Sequence, residues 1–302
     1  MMMVTPQKVN EALRFPTLVS VVIPARNVAT VILNQLDALS RQDYRGAWEV
    51  IVSDNGSTDG TAEAAASCAD KLPRFQTVWA GTHVGVSHAR NIGAQTARGD
   101  FIVFCDADDA ATSSWLRAMV ATAHTADVVG GWLDHTALNP LPARLWRPEN
   151  SRETLPIALD FLPYAVGATL GVRAVVLRAL GGFNESYLSG GDDVEFSWRA
   201  QLAGYTLGFA SDAVMQYRLR EQLCQLARQG YGYGHADALL YRDFRSYGLA
   251  PFDARITVRQ WIHLARHLPE IFHRDSAGDW IYRAAWRFGR VIGSLRYHVL
   301  CL

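Results

Sequence analysis

Three carboxylates stand within four residues at Asp106, Asp108 and Asp109, directly behind the uncharged run Phe101, Ile102, Val103, Phe104, Cys105. Acids this close repel one another unless a cation or a bonded donor sits among them. A hard divalent ion such as Mg²⁺ or Mn²⁺ takes carboxylate oxygens and completes its shell with substrate phosphates, so one chemistry open to the triplet is phosphate handling through a metal. The plain alternative is a solvated turn whose acids cap the helix that follows. A second pair, Asp192 and Asp193, comes after Gly190 and Gly191 and before helical sequence. Either can be that helix's N-cap. Asp193 also suits a general base, because a neighbouring carboxylate raises its pKa and the paired glycines leave room for a substrate.

The elements that must hold these acids follow from patterning. "LVSVVIPARN", "WEVIVSDNGSTDGT", "RFQTVWAG" and "DFIVFC" read as short strands, separated by the helical stretches "VATVILNQLDALSRQ", "GTAEAAASCAD" (capped by Thr58 or Asp59) and "VSHARNIGAQTARG". Strand–helix alternation at this spacing predicts a mostly parallel sheet flanked by helices on both faces. Ligands of such sheets bind outside the carboxyl ends of the strands, where Pro24 to Asn27, Asp54 to Asp59 and Asp106 to Asp109 all fall. Further on, "SSWLRAMVATAHTA" and "DVEFSWRAQLAGY" read as helices, "DVVGGWLD" and "YAVGATLGV" as strands. From Leu219 the chain is mostly helical.

With 49% apolar and 19% charged residues the chain has the balance of a globular protein, and a formal net charge of +0 gives no sign of a nucleic-acid partner. Cys68, Cys105, Cys224 and Cys301 are scattered without C-x-x-C spacing, which suits free thiols in a reducing compartment. No apolar leader and no spanning run is evident, so the expectation is a cytoplasmic protein.

Two enzyme readings use "FCDADDA" and "GGDD". A haloacid-dehalogenase-type phosphatase needs a downstream basic residue, usually Lys, and both lysines, Lys8 and Lys71, lie upstream. It also leaves the first three polar loops idle. The second reading uses every loop: "VSVVIPARN", "VIVSDNGSTDGT", "GVSHARNIGAQTARGDFIVFCDADD" and "GGFNESYLSGGDDVEFSWRAQLAGY" resemble the family 2 glycosyltransferases, inverting enzymes of bacterial type with a GT-A fold. The resemblance runs from Val19 to Tyr205.

It implies a nucleotide-diphospho-sugar donor, a UDP-sugar first, a hydroxyl acceptor, and Mg²⁺ or Mn²⁺. In similar enzymes Pro24, Ala25 and Arg26 pack around the base, and Asp54 accepts a hydrogen bond from it. Arg90 reaches toward the diphosphate, and Asp106 binds ribose or assists the metal. Asp108 is the main metal ligand and Asp193 the base. Gln216 stands where a His is common and is the poorer third ligand. From the residues alone, Arg90 can equally pair with a helix acid and Asp54 can equally cap a turn. Arg218 and Arg220 face either the diphosphate, the acceptor or solvent. Asp192 and Trp198 are acceptor-side candidates, although a large aromatic such as Trp198 or Trp132 is more often core. A nucleotidyltransferase typically has a glycine-rich loop after the first strand, and "IPARNVAT" has none. A non-catalytic sugar-nucleotide sensor would have no use for Asp193.

The expected organisation is an extension over 1–17, a catalytic domain over 18–215 divided near residue 110, and a helical region over 216–302. From Arg255 on, eight arginines face three acids. Ile281, Ala284, Phe288, Val291 or Ile292, Leu295 and Val299 form an apolar stripe beside Arg283, Arg287 and Arg290. Such a helix can lie on an anionic membrane surface or dock on the rest of the chain, the second being the ordinary use of one stripe.

Overall fold

The computed structural model describes residues 14–147 and 149–301. Most of the extension over 1–17 therefore lies outside the described residues. The part next to the sheet is tied down: Thr17 and Leu18 donate backbone N–H groups to Asp100.

The first half alternates as the pattern predicts. β1 (Val19–Ala25), α1 (Ile32–Ser40), β2 (Trp48–Asp54), α2 (Thr61–Ala66), β3 (Phe75–Trp79), α3 (Val86–Thr96) and β4 (Phe101–Phe104) follow in turn. After the acidic loop come β5 (Ala110–Ala111), α4 (Trp115–Ala123), β6 (Val128–Asp134) and α5 (Leu141–Trp146). A two-stranded hairpin of β7 (Ile157–Ala158) and β8 (Leu162–Pro163) precedes β9 (Leu170–Arg173), α6 (Ala174–Ala179), α7 (Asp192–Leu202) and β10 (Leu207–Gln216). The chain then becomes helical: α8 (Leu223–Phe244), α9 (Ala254–Arg266) and α10 (Arg274–Tyr297).

Eight strands form one sheet in the order β3-β2-β1-β4-β9-β6-β10-β5. Strands β1 to β4, β6 and β10 run one way; β9 and β5 run against them. The reversal has a local cause. "YAVGATLGV" is not one strand: Gly167–Thr169 is a turn of 3-10 helix, and only Leu170 onward joins the sheet. Entering from the hairpin side, β9 slots antiparallel between β4 and β6.

Both faces of the sheet are covered, which is why β4 reads as an unbroken apolar run and β1 is apolar but for Ser20, whose hydroxyl bonds Glu49. Val21, Ile23, Phe101 and Val103 pack with α1 and α4, while Val22, Ile102 and Phe104 pack with Val176, Leu177 and Phe196 of α6 and α7. Successive strand residues point to opposite layers, and each large side chain buried this way contributes about 1.5–3 kcal/mol. A third cluster joins α7 to α8 through Val194, Trp198, Leu239, Leu240 and Phe244.

The expected stripe on α10 is not the face that docks. α10 meets α8 with Gly230 against Tyr282, Gly234 against Trp286, Gly289 against Tyr231 and Gly293 against His235 and Ala238. A Cβ on Gly234 or Gly289 would collide with the facing backbone carbonyl, so only glycine permits this approach. Phe288, Ile292 and Leu295 stay exposed at 56%, 44% and 68%. A period-3.6 count finds both faces of such a helix and cannot say that the small one is the seam.

Candidate active site

The strand tips converge as the alternation requires. At the end of β1, Pro24 and Ala25 are buried and Arg26 is exposed. At the end of β2, Asp54 is buried, and its Oδ1 accepts from the Ser57 N–H at 3.1 Å and the Ser57 hydroxyl at 2.5 Å. Asp54 thus closes its own turn with one oxygen and keeps Oδ2 for a further donor. Asn55 ties this loop to the next, donating to the carbonyls of Ala80 and His83 and accepting from the Gly85 N–H. Thr58 does not cap α2: the cap position is Gly60, and Asp59 Oδ1 accepts from the Thr61 N–H and hydroxyl.

Arg90 of α3 organises the floor. It is 4% exposed, and its guanidinium donates to Asp192 Oδ2 at 2.5 Å and to Asp106 Oδ1 at 3.1 Å. Gly167 is adjacent, so closely that a Cβ there would lie 2.5 Å from Arg90 Nη2. Arg90 therefore pairs with a helix acid, and its reach toward a ligand is through the exposed edge of Asp106. Asp192, an acceptor-side candidate, is buried beneath the cleft as this partner. Burial, with the charges of Asp108 and Asp192, raises the Asp106 pKa against the opposing pull of Arg90.

Asp108 faces outward and is held by Arg220, Nη1 to Oδ2 at 2.8 Å, while Arg218 Nε donates to the Asp108 carbonyl. Asp109 is fully buried: its Oδ1 accepts from the Arg218 N–H at 2.8 Å, and its Oδ2 has no partner. Burial first, then Asp106 and Asp108, push its pKa well above the usual carboxylate range. Three acids are thus sorted by depth. Asp106 and Asp108 keep 31% and 22% of their side chains open to the cleft.

These two carboxylates fit a hard divalent ion in ligand type, each retaining an oxygen free of protein donors. Among the described residues no group of three His, Cys, Asp or Glu side chains has metal-site geometry. Two carboxylates suit Mg²⁺ or Mn²⁺ when substrate phosphates complete the shell. Gln216 ends β10 opposite Ala110 and makes no side-chain hydrogen bond among the described residues.

Asp193 enters from the other side. Gly190 and Gly191 adopt φ +109° and +79°, a turn open to glycine, and Gly191 is the N-terminal boundary of α7. Neither aspartate caps the helix. Asp193 Oδ2 accepts from the Gly167 N–H at 2.8 Å and Oδ1 from the Val194 N–H at 2.9 Å. Burial, then the charge of Asp192, pushes its pKa up to about 6, with the two N–H donors and Arg90 opposing.

Trp198 corrects the sequence reading. It is 0% exposed, donates from Nε1 to the Leu162 carbonyl at 2.8 Å, and packs edge-on to Phe161 and Phe244. One turn past Asp193 on α7, it points into the core. Patterning missed Arg147, whose guanidinium stacks on the Tyr282 ring and reaches Gln229, which donates to Tyr233. These come from three separate segments, so no sequence spacing links them.

Residues 20–180 match the family described as Glycosyl transferase family 2. The glycosyltransferase AglE of Haloferax volcanii is 33% identical over 199 residues, 65% of this chain and 65% of that protein. A PGL/p-HBAD biosynthesis glycosyltransferase of Mycobacterium bovis is 34% identical over 116 residues, 37% of this chain and 45% of that protein. The chain thus spans less than two-thirds of the length of either relative. Among solved structures, the mannosyltransferase PcManGT of Pyrobaculum calidifontis, in complex with GDP-Man and Mn²⁺, aligns with a TM-score of 0.60 at 20% identity, over 91% of this chain and 87% of that one. S. aureus TarS 1-349 in complex with UDP-GlcNAc aligns with a TM-score of 0.55 at 20% identity, over 93% and 92%. The fold is therefore GT-A, and the sequence match runs from β1 to the end of α6, more than half the chain. By that match, this protein belongs to glycosyl transferase family 2.

Proposed function

We propose that the protein moves a sugar from a nucleotide-diphospho-sugar, a UDP-sugar first, onto the hydroxyl of a saccharide, lipid-linked or small-molecule acceptor in glycan, glycolipid or glycoconjugate synthesis, with inversion at the anomeric carbon. Asp193 carries the reading: a carboxylate aimed by the Gly167 N–H, with a pKa pushed up to about 6, across Arg90 from Asp106. It takes the acceptor proton as the acceptor oxygen bonds to the anomeric carbon and the carbon–diphosphate bond breaks, the electron pair leaving with the diphosphate. A single base on the far side of the sugar favours one direct displacement.

On the donor side, Asp54 Oδ2 accepts from the base, with Pro24, Ala25 and Arg26 around it. Asp108 and Asp106 would hold Mg²⁺ or Mn²⁺, which when bound supplies positive charge to the departing diphosphate. Arg220 and Arg90 add fixed positive charge at the same carboxylates. Gln216 offers only a carbonyl oxygen as a third ligand.

Thermal unfolding against UDP, GDP, dTDP and CDP, each with Mn²⁺ and with EDTA, tests this without an acceptor. A ligand at ~100 times its dissociation constant adds about 2.7 kcal/mol, several degrees for a chain this size. The expected result is a shift with one nucleotide that disappears in EDTA and in Asp108→Asn. No shift with any nucleotide would overturn the reading.

A peripheral place at the inner face of a membrane is the second part of the proposal. Among the described residues no helix is long and apolar enough to cross a bilayer. Exposed Ile256 and Ile262 of α9 and Phe288, Ile292 and Leu295 of α10 are joined by the edge-on Trp261–Phe288 contact, with exposed Arg255, Arg259 and Arg266 nearby. Apolar side chains rimmed by arginine suit an anionic lipid surface. Flotation with phosphatidylglycerol vesicles should fall in the full-length triple variant Phe288→Ser, Ile292→Ser, Leu295→Ser; equal flotation would end the idea.

A further inference from the structure

Beside the acidic loop, Arg90 and Arg220 each reach a carboxylate, and Arg218 donates to the Asp108 carbonyl. Arg147 is half-buried, and among the described residues no carboxylate lies within 4.0 Å of it in an ion pair. Its Cζ sits 4.0 Å above the centre of the Tyr282 ring, and Nη1 reaches Gln229 Oε1 at 3.4 Å, a long bond. Gln229 in turn donates to the Tyr233 hydroxyl at 3.3 Å.

This cluster borders the base. A Cβ on Gly190 would lie 2.8 Å from the Tyr233 ring, so Tyr233 rests on the turn that launches Asp193. The negative charge of Asp193 reaches both Tyr164 and Tyr233. Tyr233 and Tyr282 are half-buried, so each keeps part of its surface open.

A guanidinium drawn out of water without a counter-charge is costly, and the cost is relieved when an anion enters. Its planar fork matches two oxygens of a phosphate, and phenolic hydroxyls can donate to the third while their rings take a sugar face. We infer that the acceptor carries a phosphate near its reacting hydroxyl, and that Arg147 with the hydroxyls of Tyr233 and Tyr282 forms its subsite. The inference rests on Asp193 being the base of a transfer reaction. It leaves two sources of the same chemistry: a lipid phosphate and a water-soluble phosphorylated saccharide.

The experiment uses phenyl phosphate as the probe and phenyl glucoside as its neutral control. Unfolding midpoints are measured for the full chain, Arg147→Gln and Arg147→Lys, with and without UDP and Mn²⁺ to fill the donor side. The expected result is a saturable rise with phenyl phosphate, unaffected by filling the donor side and absent with phenyl glucoside. Arg147→Gln should require about tenfold more phenyl phosphate or worse. Arg147→Lys keeps the charge without the fork and should fall between, which serves if the Gln variant does not fold. No rise in the parent protein, or equal rises in parent and variants, overturns the inference. So does a loss of the UDP–Mn²⁺ rise in Arg147→Gln, which would assign the arginine to the donor. A parent protein that ignores UDP but answers phenyl phosphate through Arg147 sinks the donor reading alone. Flotation on phosphatidic acid vesicles that depends on Arg147 identifies the lipid source; flotation independent of it, with the phenyl phosphate response intact, identifies the soluble one.

Discussion

Arg90 on α3 and Asp192 on α7 meet at 2.5 Å with 5% of each side chain exposed, so the helix that presents Asp193 is bolted to the helix beneath the acidic loop. Donor side and base side share one buried ion pair. Truncating one member of such a pair leaves the other charged and unpaired, which costs about 3–5 kcal/mol. Arg90→Ala should lose that much in denaturant unfolding. Arg26→Ala, changing an exposed side chain, should leave stability within about 0.5 kcal/mol and weaken only nucleotide binding.

Asp193 should set the acid limb of the rate profile. A base is useful only when ionised, so kcat/KM should rise with pH through about 6, the value to which burial and Asp192 push this carboxyl. Asp193→Asn should lose about 10²–10⁴ in turnover and keep the nucleotide-induced rise in unfolding midpoint. Stability runs the other way. A folded pKa above the ordinary 3.8 means the protonated carboxyl stabilises the fold below that value, and the contribution disappears as pH rises through about 6. Unfolding midpoints of parent and Asp193→Asn between pH 4 and 7 should therefore diverge, the parent losing more as pH rises.

Under the proposed roles, Arg220 would compete with the metal for Asp108. The pair is 38% and 22% exposed, and an ion pair so placed is worth about 0.5–1 kcal/mol. Arg220→Met should therefore tighten Mn²⁺ binding about two- to fivefold in calorimetry without nucleotide. Weaker binding would mean that the guanidinium helps hold Asp108 in place for the ion.

Trp198→Ala should cost about 3–5 kcal/mol in unfolding, as expected for an emptied core site. Trp198→Phe, which loses the bond to the Leu162 carbonyl but keeps an aromatic ring, should fold and leave acceptor KM nearly unchanged. A selective rise in KM would return the residue to the acceptor side.

The first half of the sheet was legible because its physics is local. β1, β2 and β4 are buried on both faces, so each carries an apolar run, Val21–Ile23, Val50–Val52 and Phe101–Phe104, and the polar residues at their tips mark the ligand end. Local pattern could also place Asp108 and Asp193, since each follows a signal in its own segment. It could not orient β9, whose reversal depends on where the preceding hairpin delivers the chain. Pattern preferred Asp193 to Asp192 for chemistry but could not say where Asp192 goes: the helical rotation between these neighbours sends one to Arg90 and the other to Gly167. Trp198 repeats the point, sharing α7 with the base but facing Phe244. Arg147 gives no signal in "ARLWRPEN", because what distinguishes it is the carboxylate it lacks.

The Gly167 N–H that steers Asp193 belongs to the main chain, just before the strand that runs against its neighbours. Among single substitutions only proline would remove that N–H. Arg147, Tyr233 and Tyr282 are side chains from separate segments, each free to change alone. On the proposed roles, substitutions over evolutionary time can redraw the acceptor subsite while the proposed base keeps its line of attack.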